Sequence, residues 1–353
     1  MSGYLHRITD RELDELMPDL PAISIEGPKG IGKTETAIRR AATAFRLDDP
    51  AAAQLLPAAT ERLRTTDRPV LLDEWQRHPE LWDLVRREVD ASAAGGQFLL
   101  TGSAAPTGSP IHSGSGRIVT LRMRPLSLSE RLQTESTVSL AALLKGGAEV
   151  VGDSELHLED YVSEILASGY LAIGRLPPRA RTLQLDGYLA RVIEREFAEQ
   201  GAAVRRPGTL RAWMAAYAAA TATTASYEAI LNAATPGLSN KPARSTTTVY
   251  RDVLSQLWLL DPVPAWTPGS RILSRLATTP KHFLADPALA ARLLDLDAEQ
   301  LMDREGDMHI GPQTSTLLGR LLESLVAISL KTYAQANRAS LSHFRASNSW
   351  ETG

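Results

Sequence analysis

Cysteine is absent from the 353 residues. Its absence excludes disulfide bridges, thiolate zinc sites and cysteine nucleophiles, and it suits a reducing cytoplasm. Long apolar runs are absent too. Nothing approaches the roughly 18 residues that a membrane-spanning helix needs, and the most apolar stretch, residues 215–225, is short and carries threonines, as a packed helix would. The first 15 residues are polar and charged, without the apolar centre of a secretory signal. Neither sign of charge is in large excess. The net charge is −3 and the isoelectric point about 6.2, so no global basic field advertises nucleic acid. The seven histidines show no pairing at metal-ligand spacing, and no zinc site is expected. What remains is an ordinary globular composition, long enough for two or three hydrophobic cores.

Against that background one stretch stands out: Gly27-Pro28-Lys29-Gly30-Ile31-Gly32-Lys33-Thr34. It reads G-x-x-x-x-G-K-T, the spacing of a phosphate-binding loop. Glycines let the backbone bend so that successive N–H groups converge on phosphate oxygens. The helix that follows offers its positive end to the same anion. Lys33 is expected to reach the β- and γ-phosphates of ATP, and the Thr34 hydroxyl to ligate Mg²⁺. Four fixed positions match by chance in on the order of one chain in a hundred, so the context decides. Residues 21–26 are short and apolar, as in a buried strand. After the loop, Ala37, Ile38, Ala41, Ala42 and Phe45 recur at helical spacing, with Arg39 and Arg40 on the other side. Strand, glycine loop, helix is the context the motif requires.

Further apolar runs follow at strand length. Residues 44–50 read as an edge strand running into a turn, and residues 51–63 as a helix interrupted near Pro57. Residues 68–75 are an apolar run ending in Asp73-Glu74, the Walker B pattern. Strand carboxyl ends face the ligand crevice of an open α/β sheet, so Asp73 is expected to hold Mg²⁺ and Glu74 to activate the attacking water. Residues 79–91 form a helix with Leu81, Leu84, Val85 and Val89 on one face. Residues 97–103 form another buried strand, at whose end Ser103, or else Thr101, is placed to sense the γ-phosphate; a plain serine turn is the alternative. Residues 104–116, with His112, are rich in Ser, Gly and Pro and read as a mobile loop. Arg117 opens the next strand. It is the candidate to stabilise phosphoryl charge, in its own subunit or a neighbour, with Arg122 and Arg124 in reserve; an arginine paired on the surface is the alternative.

The rest of the chain reads as mostly helical. A glycine-rich linker at 145–153 places a boundary near residue 150. Helices are expected over 158–175, ending at Ser168-Gly169-Tyr170, and over 182–198 and 210–222. Residues 226–267 then run helix, turn through Pro236 and Gly237, helix, extended segment, which is the order of a winged helix. In a DNA reader Lys241, Arg244 and Arg251 lie near the groove, but basic residues are few there. A third region from about residue 271 holds helices at 289–296 and 317–333, Glu323 near a buried face, and a strand at 340–345.

Taken together, the segments Gly27 to Thr34, Val70 to Trp75, Leu99 to Ser103, Gly116 to Glu130, Asp186 to Glu196 and Ala285-Asp286-Pro287 resemble a bacterial and archaeal family of AAA+-like P-loop ATPases that carry a C-terminal domain called DUF4143. The resemblance implies an α/β fold: a P-loop NTPase parallel sheet with helices on both faces, then a helical, winged-helix-like region, then a domain similar to the PD-(D/E)xK nucleases. On that scheme the domains are 1–150, 151–270 and 271–353. It implies ATP and Mg²⁺ as ligands, a cytoplasmic location, and a homo-oligomer or DNA as partners. The sequence departs from the family's pattern at Trp350-Glu351-Thr352-Gly353, where a further hairpin is expected, so the metal-binding acid and lysine of a nuclease core are missing and nuclease activity is not expected. Two other readings are a nucleotide-switched DNA-binding regulator and a small-molecule kinase. The kinase has no need of an acid at Glu74, and no arginine-rich lid is evident.

Overall fold

The computed structural model describes residues 3–49, 59–104, 116–133, 138–235, 242–266, 279–302 and 317–344. His112 and most of its loop, the turn at Pro236 and Gly237, Lys241 and the last nine residues lie outside that set. In chain order the first elements are α1 (Ile8–Leu16), β1 (Ala22–Glu26), α2 (Lys33–Ile38), β2 (Thr43–Arg46), α3 (Ala59–Thr65), β3 (Val70–Asp73), α4 (Glu80–Ala91), β4 (Phe98–Gly102), β5 (Ile118–Arg122) and α5 (Leu128–Leu132). Helices follow: α6 (Leu140–Lys145), α7 (Leu158–Ala167), α8 (Leu171–Gly174), α9 (Pro178–Arg191), α10 (Pro207–Ala219), α11 (Tyr227–Ala234), α12 (Arg244–Gln256), α13 (Pro287–Leu293), α14 (Ala298–Met302) and α15 (Leu317–Ala336). No helix among the described residues is long and apolar enough to cross a membrane.

The chain divides into two compact units. One comprises Met1–Ser136, Ala167–Val204 and Asp252–Leu259; the other comprises Thr137–Leu166, Arg205–Arg251 and Leu260–Gly353. These bounds differ from three consecutive segments at 1–150, 151–270 and 271–353, because two later stretches belong with the first unit.

The first unit is built on one parallel sheet in the order β2-β3-β4-β1-β5. Strands β1, β3 and β4 are apolar at nearly every position and are buried along almost their whole length. A strand buried at consecutive positions has both faces covered, which is the signature of a parallel sheet flanked by helices. On one face, Val70, Leu72, Phe98 and Leu100 share a core with Trp75, Trp82 and the apolar side of α4. Their every-second-residue spacing leaves Ile23, Ile25, Leu71 and Leu99 for the opposite face, where they are equally buried. The unit therefore has the expected P-loop α/β fold.

Local details differ from the periodicity. The helix after the glycine loop stops at Ile38 instead of running on toward Phe45. Ala42 and Thr43 donate their N–H groups to the Pro69 carbonyl, and residues 43–46 pair with β3 as the edge strand. Sheet pairing, a non-local interaction, overrides the helical spacing there. The helix from Leu158 ends where Ser168-Gly169-Tyr170 places its end, at Ser168 with a left-handed φ of 75°, and the short α8 follows. Beyond α9 the chain continues through a π-helical turn, Val192–Glu196, into Phe197–Glu199.

The second unit is helical. α10 packs against α11 and α13, and α15 packs against α13 and α14. α11 and α12 flank residues 236–241, which lie outside the described residues, and an extended segment follows α12. The extended segment makes only single bridges among the described residues, Leu260 with Leu284, Val263 with Lys281 and Ala265 with His343. Among the described residues of the third region the regular elements are helices, with no further sheet. Asp286 is an N-cap, accepting from the Ala288 N–H at 2.8 Å, and Glu323 pairs with Lys281. Both acids are thereby accounted for structurally.

Candidate nucleotide-binding site

The loop leaves β1 at Glu26 and enters α2 at Lys33. Its three glycines are each required by space or backbone, Gly30 by its left-handed φ of 85°. A Cβ on Gly27 would lie 2.2 Å from the Met123 carbonyl oxygen, and backbone does not yield. Gly32 has a φ of 97°, and a Cβ there would stand 2.8 Å from Leu171 Cδ1 of α8. The loop is thus pinned between the end of β5 and α8. Because α2 is only six residues long, its summed dipole is small, and the loop's N–H groups are the main anion-directed feature.

Lys33 is almost fully buried, and its Nζ donates to the carbonyls of Gly27 and Pro28, each at 2.8 Å. Burial pushes its ammonium down to about 8, against the opposing charges of Glu74 and Asp73. Lys29 reaches Glu196 at 3.2 Å and Glu199 at 3.3 Å. Burial would lower the Lys29 ammonium, but these two carboxylates outweigh it and raise it. Gly30 is left-handed beside Tyr170, and Ile31 is fully buried, with its carbonyl accepting from Arg7 at 2.9 Å.

The acids stand where the register puts them. Asp73 closes β3 opposite Thr101 of β4. Its Oδ1 accepts from Thr34 Oγ1 at 2.7 Å and from the Thr101 hydroxyl. Glu74 sits just past the strand in a left-handed conformation (φ 58°, ψ 43°), with its N–H directed at Thr101 Oγ1. Its Oε1 accepts from Ser103 at 2.9 Å and its Oε2 from Gln76. β4 separates β1 from β3, so the ends of those two strands lie about two strand spacings, roughly 10 Å, apart, and Thr34 at the start of α2 reaches across to Asp73. The polar end of β4, Thr101 and Ser103, occupies the gap between them. Ser103 and Thr101 therefore both fall in the site, one on each acid.

Mg²⁺ takes hard oxygen ligands at about 2.0–2.1 Å in an octahedron, whose neighbouring oxygens lie ~2.9 Å apart. The Thr34 and Asp73 oxygens, 2.7 Å apart, fit two such positions. Among the described residues no group of three or more metal-ligating side chains occurs. Phosphate and water would complete the shell, as Mg²⁺ commonly requires.

Arg117 is the exception. β5 runs parallel to β1, with Ile118 opposite Ala22 and Arg122 opposite Glu26. Arg117 therefore lies at the amino edge of the sheet, about 16 Å along the strand from the loop end, and it pairs with Asp90 at 2.6 Å. Within its own chain it cannot serve the phosphates, which corrects the expectation for a cis role. Arg122 lies at the loop end, with its guanidinium 4.8 Å from the Trp258 ring centroid. The Arg124 carbonyl accepts from Arg7.

Sequence reasoning missed Glu26, Arg7, Gln76 and Glu196. Burial raises the Glu26 carboxyl, against the Ser24 hydrogen bond and the Lys33 charge. Its position as the last strand residue before the loop was a usable signal. Arg7 and Glu196 carried none, being 24 and about 167 residues from their loop partners Ile31 and Lys29.

The chain is similar to several known proteins. Residues 19–132 match the family model AAA_14, described as an AAA domain. Residues 158–300 match DUF8612, a domain of unknown function, where the resemblance in the sequence implies DUF4143; DUF8612 replaces that expectation. Two curated relatives, the uncharacterised proteins Rv2008c of Mycobacterium tuberculosis and Mb2031c of Mycobacterium bovis, are each 25% identical over 322 residues, covering 87% of this chain. The chain spans 63% of the length of those relatives. Among solved structures, the Walker-type ATPase paby2304 of Pyrococcus abyssi is similar at 14% identity and a TM-score of 0.45, over 82% of this chain and 96% of its own. The ORC2 protein of Aeropyrum pernix, determined with ADPNP and ADP, is similar at 15% identity and a TM-score of 0.31, over 90% and 93%. The fold assignment rests on the strand order and the loop, not on these distant likenesses.

Proposed function

We propose that the first unit binds ATP with Mg²⁺ and hydrolyses it. The observation that carries the reading is the junction of loop and acids: the hydroxyl of Thr34 on Asp73, with Glu74 one residue on, held by Ser103 and Gln76. Loop N–H groups and Lys33 would hold the phosphates, and Mg²⁺, held by Thr34 and Asp73, would neutralise charge on the phosphate oxygens. Glu74 would take a proton from the attacking water, with its carboxylate aimed by two hydrogen bonds. The AAA-domain match over the same residues supports the reading.

The test is phosphate release from the purified protein with Mg²⁺-ATP, for wild type and Glu74→Gln, with and without duplex DNA. Turnover that depends on Glu74 supports an ATPase. Normal hydrolysis by the glutamine variant removes the catalytic assignment. The alternative, a nucleotide-switched DNA-binding regulator, rests on element order. Within the second unit Arg244 pairs with Glu228 at 2.8 Å, and Arg251 stands over the Tyr227 ring. Both charges thus have partners in their own unit, which weighs against a groove-facing role. Stimulation by DNA, or salt-dependent binding to it, would revive that alternative. Arg117 acting on a neighbour's nucleotide in a homo-oligomer is a further part of the proposal, read out by whether Arg117→Ala lowers turnover in mixtures with wild type.

A further inference from the structure

Residues 4–14 precede the sheet and touch the phosphate loop at its back. Arg7 is 4% exposed, and each limb of its guanidinium has an acceptor on a different element. Nε meets Glu130 Oε1 at 3.0 Å, Nη1 meets the Ile31 carbonyl at 2.9 Å, and Nη2 meets the Arg124 carbonyl at 2.8 Å. The planar fork of arginine suits three acceptors in fixed directions; the single ammonium of a lysine does not. The helix after the loop is held by the same segment. The Tyr4 hydroxyl lies 3.0 Å from Thr36 Oγ1, and Arg40 pairs with Asp10 at 2.7 Å.

The bond to Ile31 has a directional consequence. A peptide unit is planar and trans, so the carbonyl of Ile31 and the N–H of Gly32 point opposite ways. With the carbonyl directed at Arg7, the Gly32 N–H points the opposite way, away from Arg7. We propose that Arg7 is a positioning residue for phosphate binding, fixing the Ile31–Gly32 peptide so that its N–H is ready for a phosphate oxygen. The role rests on the nucleotide reading above.

Glu130 supplies an internal control. It shares the ion pair with Arg7 and also takes N–H bonds from Ile8 and Ser127, each at 2.8 Å, but it does not touch the loop. Burial alone would raise its carboxyl; the Arg7 charge and bond and these N–H bonds hold it below the usual range. Loss of either partner breaks the same buried pair. Only loss of Arg7 releases Ile31.

The experiment compares Arg7→Met, Glu130→Met and Arg7→Lys with wild type, measuring thermal unfolding and the Kd for a fluorescent N-methylanthraniloyl ADP with Mg²⁺. The two methionine variants are expected to lose stability alike. The Kd is expected to rise at least tenfold in Arg7→Met and less than threefold in Glu130→Met. Arg7→Lys keeps the charge beside Glu130 and is expected to lose less stability than Arg7→Met, with a Kd raised severalfold, which keeps the proposal testable if Arg7→Met does not fold. Equal Kd values in Arg7→Met and Glu130→Met, or a wild-type Kd in Arg7→Lys, overturn the role alone. Wild-type protein that binds no nucleotide overturns the nucleotide reading, and this role with it.

Discussion

The hydroxyl of Ser103 donates to Oε1 of Glu74 across 2.9 Å, joining residues 29 apart in sequence at the ends of adjacent strands. Gln76 holds the other carboxylate oxygen. The carboxylate is therefore oriented from both sides. Glu74→Gln is expected to lower turnover by about 10²–10⁴-fold, the range of a general base, with nucleotide affinity retained. Ser103→Ala is expected to lower it by about tenfold, since one anchor and the base itself remain. Steady-state phosphate release beside equilibrium binding separates the two. A serine variant at wild-type rate would leave Ser103 a simple turn residue.

Lys33 makes binding depend on pH. Its folded value of about 8 lies below the usual 10.5, so between those values the folded chain holds fewer protons than the unfolded one. The burial cost of the charged form is present below about pH 8 and is lifted as pH rises through the window, so this group alone makes the protein without nucleotide more stable there. Phosphate binding has the opposite sign, since it needs the ammonium. Affinity for Mg²⁺-ADP is expected to fall by up to about tenfold per pH unit above 8. Titrations from pH 7 to 10 check this, and Lys33→Arg, which keeps its charge, is expected to show no such fall.

Glu196 and Lys29 give a prediction of opposite signs. Glu196 lies within 3.2 Å of a loop cation and adds negative charge near the phosphates. Glu196→Gln is expected to tighten ADP binding by about two- to fivefold and Lys29→Ala to weaken it by a similar factor, the scale of a partly exposed pair. Both effects should shrink in high salt. Changes of the same sign in the two variants would reject the electrostatic account.

Gly27→Ala places a methyl 2.2 Å from a backbone oxygen of the segment after β5. Overpacking against backbone is expected to cost about 1–3 kcal/mol of stability and to shift the loop enough to abolish tight nucleotide binding. Urea unfolding and the Kd read the two effects separately. An alanine variant that binds as wild type would show that the loop can move as a body.

The sheet and the loop were legible because their signals are local. Apolar runs of strand length, each followed by glycine, acid or small polar residues, located β1, β3 and β4, and the motif spacing located Lys33 and Thr34. Ser103 and Thr101 were legible as strand ends next to the acids. The errors lie where distant parts of the chain decide. Phe45 fits both a helical face and the edge strand read over 44–50, and pairing with β3 decides for the strand. Arg117 is near the site in sequence but not in space: a residue before a parallel strand sits at the edge away from the phosphates. Arg7 and Glu196 reach the loop through single long-range contacts, which leave no periodicity to read.

The Arg7 fork also orders events during synthesis. Its acceptors lie 24, 117 and 123 residues further along the chain, and contacts of such separation form only after the intervening chain has closed its loops. The motif at Gly27 to Thr34 is made early by the ribosome, but its brace is complete only once Glu130 has emerged and α5 has formed. A nascent chain released before that point carries the whole phosphate-loop sequence without the full set of Arg7 acceptors, so the brace is completed by α5 and not by the motif.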